Sequence, residues 1–223
     1  EKEIQAFNPE PFWRLSFQGK YKAAPLEAWH KEDRIFDQEK VKKIFSKIKN
    51  EKEALIQEVT KSVRNQSPPT PFNLSDLQSE SYALFKITPK ETLAIAQSLY
   101  LEGATSYPRT SSQQLDPKLG FKKILSDLAK QSQYQKLAQE LLTEKELKPN
   151  NGSKTDPAHP AIYPTGHVPR NLKLRDQRLY DLIVKRFMAT FAQPAVRETM
   201  TIVFDVKGEP FLTKGTRTLE ENW

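Results

Sequence analysis

The chain has 223 residues, with 35 Lys and Arg against 28 Asp and Glu, and its formal net charge is +7 at pH 7. It contains no cysteine, which excludes disulfides, a cysteine nucleophile, thiolate zinc sites and iron–sulfur ligation. The basic excess is consistent with a polyanionic partner such as nucleic acid, and no apolar run approaches the roughly 18 residues of a membrane span.

The first block of the chain, residues 10–68, predicts β structure around one helix. Apolar and polar residues alternate over 13–17 with the period of a strand, and Gly19 predicts a turn after them. Asp37 is suited to cap a helix whose apolar residues recur at helical spacing. A further strand is favoured over 54–66.

The second block, residues 69–194, predicts a mainly helical domain behind a proline-rich boundary. Residues 75–78 (Ser-Asp-Leu-Gln) have the spacing of a helix cap. Residues 88–91 (Thr-Pro-Lys-Glu) form a stronger helix start, and Gly103 would end that helix. Two helices joined by so short a turn are typical of helix-turn-helix and winged-helix domains. Three more helices are expected, at 121–129, 132–144 and 176–192.

A long loop and a second β block complete the chain. Residues 146–172 are rich in Pro, Gly, Asn and Lys, and a loop of this length inside a domain is often functional. Strict alternation over 200–206 predicts a strand, which turns at Gly208 and Pro210 and returns.

Strands at both ends and helices between them define the predicted organisation. The fold class is α+β, with a mainly helical, winged-helix-like domain inserted into a β-rich domain. The helical domain is expected at 69–194 and the β-rich domain at 10–68 and 195–223. Residues 1–9 are expected to be the end of a preceding helix, and we expect the chain to be a piece of a larger protein.

The segment 103–112 carries the strongest candidate for chemistry. Tyr107 follows the helix-ending glycine, Pro108 keeps it out of helical geometry, and an extended backbone would place Arg109 on the same side. A phenol has a pKa of about 10, so a neighbouring cation favours the phenolate, and a guanidinium can hold two phosphate oxygens. This combination suits attack on a phosphodiester. The alternative is a loop tyrosine that packs on the domain beside an exposed arginine.

A second candidate lies at 156–165, where His159 stands between prolines and could donate a hydrogen bond to a phosphate oxygen. For a single histidine, a surface or packing role is the alternative. His30 and His167 have no metal-ligand spacing with it, and no acidic cluster accompanies them, so no metal site is predicted. The chain also has no Walker loop, GxGxxG loop or Ser-His-Asp pattern, so ATP and dinucleotides are not implied.

Three segments together resemble the type IA DNA topoisomerases. They are residues 77–100, residues 106–112 (Ser-Tyr-Pro-Arg-Thr-Ser-Ser) and residues 156–166 (Asp-Pro-Ala-His-Pro-Ala-Ile-Tyr-Pro-Thr-Gly). The second and third look most similar to the archaeal topoisomerase I branch. The similarity extends to 182–187 and 194–195, so it covers most of the chain, and the motifs together are highly specific.

The resemblance implies a role for each matching residue. Tyr107 would attack a DNA phosphodiester and form a 5′-phosphotyrosyl link, Arg109 would position the scissile phosphate, and His159 would contact the same phosphate. Other polar residues would support DNA binding near the cleavage site: Gln97, Ser106, Thr110 and Ser111. The resemblance further implies a winged-helix-like tyrosine domain on a β-rich arch, with strand passage and religation that need no ATP.

The acidic metal-binding domain of the family has no counterpart in these residues, which contain neither its Asp-x-Asp motif nor its catalytic glutamate. We therefore expect no cofactor in this chain, with Mg²⁺ entering the full enzyme through that domain. The expected partners are DNA, preferentially single-stranded, and the acidic domain itself, without a membrane. The chain alone is expected to bind DNA but not to relax it. A cytoplasmic, nucleoid-associated location is implied.

Other interpretations stay open at this point. A non-catalytic winged-helix DNA-binding module would explain the two helices at 74–102, although the second is apolar and nearly uncharged over 92–101, a poor face for reading bases. A structural arch or interaction domain would show no affinity for nucleic acid at physiological salt. A reverse gyrase with a helicase module is a further possible parent, although the archaeal-like motifs favour a plain relaxing enzyme.

Overall fold

The computed structural model describes residues 2–223, and they form an α+β fold of helices and one antiparallel sheet. The chain divides into two compact units. The sheet unit contains the residues up to Asn65 together with Val196–Glu220, and the helical unit contains Gln66–Ala195 with Glu221–Trp223. The chain therefore leaves the sheet unit after Asn65, builds the helical unit, and returns at Val196, and its last three residues belong to the helical unit again.

The sheet unit is built on five strands in the order β1-β2-β5-β4-β3. The strands are β1 (Ser16–Tyr21), β2 (Ala24–His30), β3 (Leu55–Gln66), β4 (Ala195–Val206) and β5 (Glu209–Glu220). β1 pairs with β2, β2 with β5 and β5 with β4, all antiparallel. The pairing of His30 with Phe211 joins the early and late parts of the chain in one sheet.

Both tight hairpin turns carry residues in the left-handed conformation. Lys22 and Ala23 (φ 47° and 69°) join β1 to β2, and Lys207 and Gly208 (φ 53° and 78°) join β4 to β5. Such two-residue turns match the right-handed twist of the strands. The turn predicted at Gly19 is wrong, because this residue lies inside β1, where the ladder to β2 needs only its backbone groups.

Two short helices belong to the sheet unit, α1 (Lys2–Gln5) and α2 (Gln38–Ile48). Asp37 caps α2 as predicted, since its side chain accepts hydrogen bonds from the backbone N–H groups of the next turn. The predicted strand at 13–17 begins later, at Ser16, and Trp13 forms only an isolated bridge to Ile35. The main core of the sheet is formed by Ala28, Phe204, Val206 and Phe211.

The helical unit packs five α-helices around a larger core. They are α3 (Leu74–Phe85), α4 (Pro89–Leu101), α5 (Phe121–Leu128), α6 (Gln135–Leu142) and α7 (Leu174–Ala189), and a short 3-10 helix covers Pro117–Leu119. α7 contacts α3, α4 and α6, and it buries seven side chains, more than any other helix of the unit. None of the helices in residues 2–223 combines the length and apolar character needed to cross a bilayer.

The starts of α3 and α4 show how well local capping signals predict helix ends. At α4, Thr88 and Glu91 form the predicted capping box, with Pro89 at the first position. At α3, the predicted cap at 75–78 is wrong, because the side chain of Asn73 accepts the hydrogen bond from the Asp76 N–H group at 2.8 Å and starts the helix earlier. Two competing cap residues stand close together there, and the sequence does not rank them.

The long loop between α6 and α7 is anchored along its length. Within it, the backbone N–H groups of Ala161, Ile162 and Thr165 donate to carbonyls of the segments before α3 and after α4. Between residues 67 and 194, the described β structure consists of isolated bridges, one of which joins Thr105 to Pro164. The winged-helix-like arrangement therefore stays a prediction for this unit.

Candidate nucleophile site

Tyr107 lies just after α4, where the helix ends in a left-handed glycine. Gly103 has φ 80°, and the Ala104 N–H group donates to the Leu99 carbonyl at 2.9 Å, which closes the helix end. The half-buried Tyr107 ring contacts two other rings. Its centroid is 5.3 Å from that of Tyr100 and 4.7 Å from that of His159. Within residues 2–223 no group hydrogen-bonds its hydroxyl.

The backbone around Tyr107 is held by the long loop. The Ser106 amide donates to the Tyr163 carbonyl at 2.9 Å. The Ser106 hydroxyl donates to the Ala161 carbonyl at 3.3 Å and accepts from the Tyr163 amide at 3.0 Å. The residue before Tyr107 is therefore fixed on both its main chain and its side chain, which limits how far the phenol can move.

His159 reaches the site from the same loop. Its side chain is exposed, and its ring meets the Tyr107 ring at an interplanar angle of 51°. Its backbone is tied to the tyrosine segment, because the Thr110 hydroxyl donates to the His159 carbonyl at 3.3 Å. The structure thus brings together two sequence-predicted site residues that are far apart in the chain.

Arg109 stands two residues after Tyr107 and is exposed, between the buried Pro108 and Thr110. It makes no ion pair or hydrogen bond through its guanidinium with the residues that the structure describes. A guanidinium in this state can form a bidentate contact with an incoming phosphate without first breaking an internal bond.

The four residues predicted to contact DNA differ in whether their side chains are already hydrogen-bonded inside the protein. The hydroxyls of Ser106, Thr110 and Ser111 all form hydrogen bonds inside the protein: to Ala161, to His159, and to Thr155 and Asp156. Gln97 is half-buried on α4, one turn before Tyr100, on the face that leads to Tyr107. In this structure the three hydroxyls therefore order the loops around Tyr107.

Asp156 is a residue of the site to which the sequence patterns assign no role. Its carboxylate accepts hydrogen bonds from the backbone N–H groups of Ala158, Ser111 and His159 and from the Ser111 hydroxyl. These bonds, that of the Ala158 N–H group first, lower the pKa of Asp156 to about 2. An Asp followed by Pro in a loop is a signal for such local backbone capping.

The described residues do not form a metal centre. Across residues 2–223 no group of three or more His, Asp or Glu side chains could hold a metal ion. Asp156 is the carboxylate hydrogen-bonded beside the tyrosine segment, and N–H and O–H donors already occupy both of its oxygens. Divalent cations such as Mg²⁺ need several oxygen ligands, so the residues around Tyr107 do not fit this ion.

α4 is poorly suited to read bases. Its exposed positions include Ala94, Ser98 and Leu101, and its one cation, Lys90, stands in the first turn. Direct readout needs Arg, Asn or Gln side chains along the face that enters a groove. The geometry instead brings a phenol and an imidazole together after the end of α4, with an exposed arginine two residues beyond the tyrosine, a set suited to phosphodiester chemistry.

Comparison with known proteins identifies the family of the chain. A family model described as DNA topoisomerase matches residues 1–223. DNA topoisomerase 1 of Pyrococcus horikoshii is 41% identical over 225 residues, which cover 100% of this chain and 33% of that protein. DNA topoisomerase 1 of Methanocaldococcus jannaschii is 40% identical over 224 residues, which cover 100% of this chain and 29% of that protein.

A solved structure shows the same relationship in three dimensions. Full-length topoisomerase I from Thermotoga maritima superposes with a TM-score of 0.64 at 26% identity, over 99% of this chain and 36% of that one. The chain thus spans about a third of the length of the relatives it matches. It belongs to the type IA DNA topoisomerase family, in the archaeal topoisomerase I branch.

Proposed function

We propose that this chain carries the nucleophile of a type IA DNA topoisomerase, and that Tyr107 is that nucleophile. The observation that carries the proposal is the state of the Tyr107 side chain. In residues 2–223 its hydroxyl has no hydrogen-bond partner and its ring contacts those of Tyr100 and His159, and Arg109, which has no ion pair there, follows two residues on. These features leave the phenol oxygen available for attack on a phosphodiester and place a guanidinium nearby in the chain.

The proposed reaction is a transesterification. The Tyr107 oxygen bonds to phosphorus and its phenolic proton leaves, while the bond from phosphorus to the 3′ oxygen of the neighbouring nucleotide breaks. That oxygen takes up a proton and becomes a free 3′-hydroxyl, and the 5′ phosphate stays on the tyrosine. One phosphodiester replaces another, so religation is the reverse attack, and no ATP is consumed.

Arg109 and His159 are proposed to act on the phosphate. The guanidinium of Arg109 would hold its non-bridging oxygens and offset the charge that develops during attack. The imidazole of His159, next to the Tyr107 ring, can donate a hydrogen bond to the same group. Gln97 lies on the same approach to Tyr107 and would contact the DNA strand. Ser106, Thr110 and Ser111 would hold the segment that meets it.

Mg²⁺ is proposed to enter the reaction through an acidic domain outside these residues, since the groups around Tyr107 do not fit it. When bound there, the ion would supply positive charge near the scissile phosphate. The substrate would be DNA in single-stranded form, gripped mainly through its phosphates, and the enzyme would act at the chromosome in the nucleoid. Alone, the chain would bind DNA without relaxing it.

Relaxation of negatively supercoiled plasmid tests the proposal. We expect no relaxation by the chain alone, and relaxation when it is combined with a family acidic metal-binding domain and Mg²⁺. Tyr107→Phe should abolish that activity. Tyr82→Phe, a matched change of an exposed tyrosine on α3, should leave it intact. Relaxation by the chain alone, or by the Tyr107→Phe mixture, would contradict the proposal.

A further inference from the structure

One carboxylate joins the two segments that carry the proposed site residues. Oδ2 of Asp156 accepts from the backbone N–H group of Ser111 at 3.3 Å and from its hydroxyl at 3.1 Å. Oδ1 accepts from the N–H groups of Ala158 at 3.0 Å and His159 at 3.1 Å. Both oxygens are thereby occupied, one by each segment.

The two carboxylate oxygens of Asp156 hold different parts of the backbone. The bonds at Oδ1 form a tight turn in which the Asp side chain fixes the backbone two and three residues later, and the His159 side chain projects from that backbone. The bonds at Oδ2 fix Ser111, two residues after Arg109. Asp156 therefore fixes the backbone that carries the imidazole relative to the segment that starts at Tyr107.

Other hydrogen bonds also link the two segments, among them those from the Gln113 N–H group to the Lys154 carbonyl and from the Ala161 N–H group to the Gln114 carbonyl, both at 2.9 Å. The Thr110 hydroxyl reaches the His159 carbonyl at 3.3 Å, and the Ser111 hydroxyl reaches the Thr155 carbonyl at 3.1 Å. These bonds are neutral, whereas hydrogen bonds to an ionised carboxylate are roughly twice as strong. The exposed His159 side chain contacts the Tyr107 ring, and its imidazole has no hydrogen-bond partner in residues 2–223, so its position depends on the backbone that carries it.

We infer that Asp156 is a positioning residue that holds the His159 imidazole against Tyr107 for contact with the scissile phosphate. The inference rests on the proposed function for the role of His159, but the geometric claim stands without it. Asp156 itself does not touch DNA. Its negative charge is offset by four donors, so it can stand near a phosphate path at little electrostatic cost.

Imidazole NMR tests the geometric claim in the chain itself. The chain has three histidines, so ¹³C-labelled rings give three resolvable sets of signals, and His159→Gln identifies one of them. The shift difference between wild type and Tyr107→Leu reports the ring current of Tyr107 at His159. In the Asp156→Asn background, we expect Tyr107→Leu to change the His159 shifts much less than it does in the wild-type chain. In the background of Asp33→Asn, a matched change in the sheet unit, Tyr107→Leu should change the His159 shifts as much as in the wild-type chain. An undiminished difference in Asp156→Asn would overturn the inference.

Formation of the covalent DNA adduct tests whether the position matters. With the chain, an acidic metal-binding domain and Mg²⁺, we expect Asp156→Asn to slow adduct formation about tenfold, since small misplacements of catalytic groups have effects of this order or larger. Oligonucleotide affinity should change less than twofold. In a His159→Gln background the same substitution should have no further effect, because the group that it positions is gone.

The outcomes separate this inference from the proposed function. An equal slowing by Asp156→Asn in both backgrounds would mean that Asp156 acts without His159 and would overturn the inference. A normal rate in His159→Gln would also overturn it, while leaving Tyr107 as the nucleophile. Absence of any adduct in wild type would contradict the proposed function alone, since the NMR comparison does not depend on catalysis.

Discussion

The ring of Tyr107 lies with its centroid 4.7 Å from the ring centroid of His159, although the two residues belong to different segments of the chain. The two segments are tied to each other by backbone and side-chain hydrogen bonds at Ser106, Thr110 and Asp156. The phenol and imidazole are therefore already arranged against each other in this structure. Pre-arranged groups lower the entropic cost of reaching the reactive geometry.

Replacement of Arg109 should weaken DNA binding through a single lost phosphate contact. We expect Arg109→Gln to lower affinity for a single-stranded oligonucleotide and to reduce the slope of log affinity against log salt by about 1. Fluorescence anisotropy across a salt series measures both. Arg175→Gln removes the same charge from an exposed arginine that already pairs with Glu91, and it should change the slope far less. Equal slopes for Arg109→Gln and wild type would contradict the phosphate contact.

Ser106 should contribute to the stability of the folded chain through its hydrogen bonds inside the protein. Ser106→Ala removes one donor and one acceptor that join the tyrosine segment to Ala161 and Tyr163. We expect a loss of about 1–2 kcal/mol in the free energy of unfolding, because the Tyr163 N–H group is left without its partner. Urea denaturation measures this loss. Ser98→Ala, on the exposed face of α4, should cost less than about 0.5 kcal/mol.

The carboxyl of Asp156 should make stability depend on acid. Hydrogen bonds from the N–H groups of Ala158 and Ser111 lower its pKa from 3.8 to about 2. A carboxyl whose pKa is lowered on folding stabilises the protein above its unfolded pKa and loses that contribution as the pH falls through its folded pKa. We expect the urea midpoint of Asp156→Asn to lie below that of the wild type by the largest amount at pH 7. The difference should shrink below pH 4 and be small near pH 2. A difference that stays constant down to pH 2 would contradict the assignment.

Arg186 on α7 should stabilise the helical unit without acting in the reaction. Its side chain pairs with Glu80, donates to the Thr70 carbonyl and lies 4.0 Å over the Phe72 ring. Arg186→Met leaves the partly buried Glu80 without a counter-ion, and we expect a loss of about 2–3 kcal/mol in urea denaturation. Adding Glu80→Gln should restore part of it. A double variant as unstable as the single one would contradict the ion-pair explanation.

A matched change on the same helix controls for the loss of an arginine as such. Arg178 is exposed and lies 5.9 Å from the Phe85 ring centre, at the limit of a cation–π contact. Arg178→Met should cost less than about 0.5 kcal/mol. Both variants should keep the ability to form the DNA adduct wherever they remain folded.

Much of the architecture follows from local sequence signals. The α+β class, the capping box of Thr88 and Glu91 and the end of α4 at Gly103 all arise from interactions within a few residues, which is why patterns predict them. Gly19 and the start of α3 were predicted wrongly for the opposite reason. Gly19 lies in a strand because it pairs with β2, an interaction with residues later in the chain. The start of α3 is set by Asn73, which caps the helix in place of Ser75.

The residues of the candidate site stand out in the sequence, but their arrangement does not follow from it. Tyr107, Arg109 and His159 stand out as chemical types, and the family resemblance singles them out further. The contact between the tyrosine and histidine rings depends on hydrogen bonds across the long loop, and no local pattern encodes these. Asp156 looks like one loop carboxylate among many until its four donors are known.

The central claim is that Tyr107 attaches covalently to the 5′ side of a DNA break. The most direct test is a denaturing-gel assay in which single-stranded oligonucleotides, labelled at either the 3′ or the 5′ end, are incubated with the chain, an acidic metal-binding domain and Mg²⁺. We predict that the 3′ label stays with the protein, that the 5′ label does not, and that Tyr107→Phe retains neither. An adduct in Tyr107→Phe, retention of the 5′ label, or no adduct from a mixture shown to assemble would contradict the account.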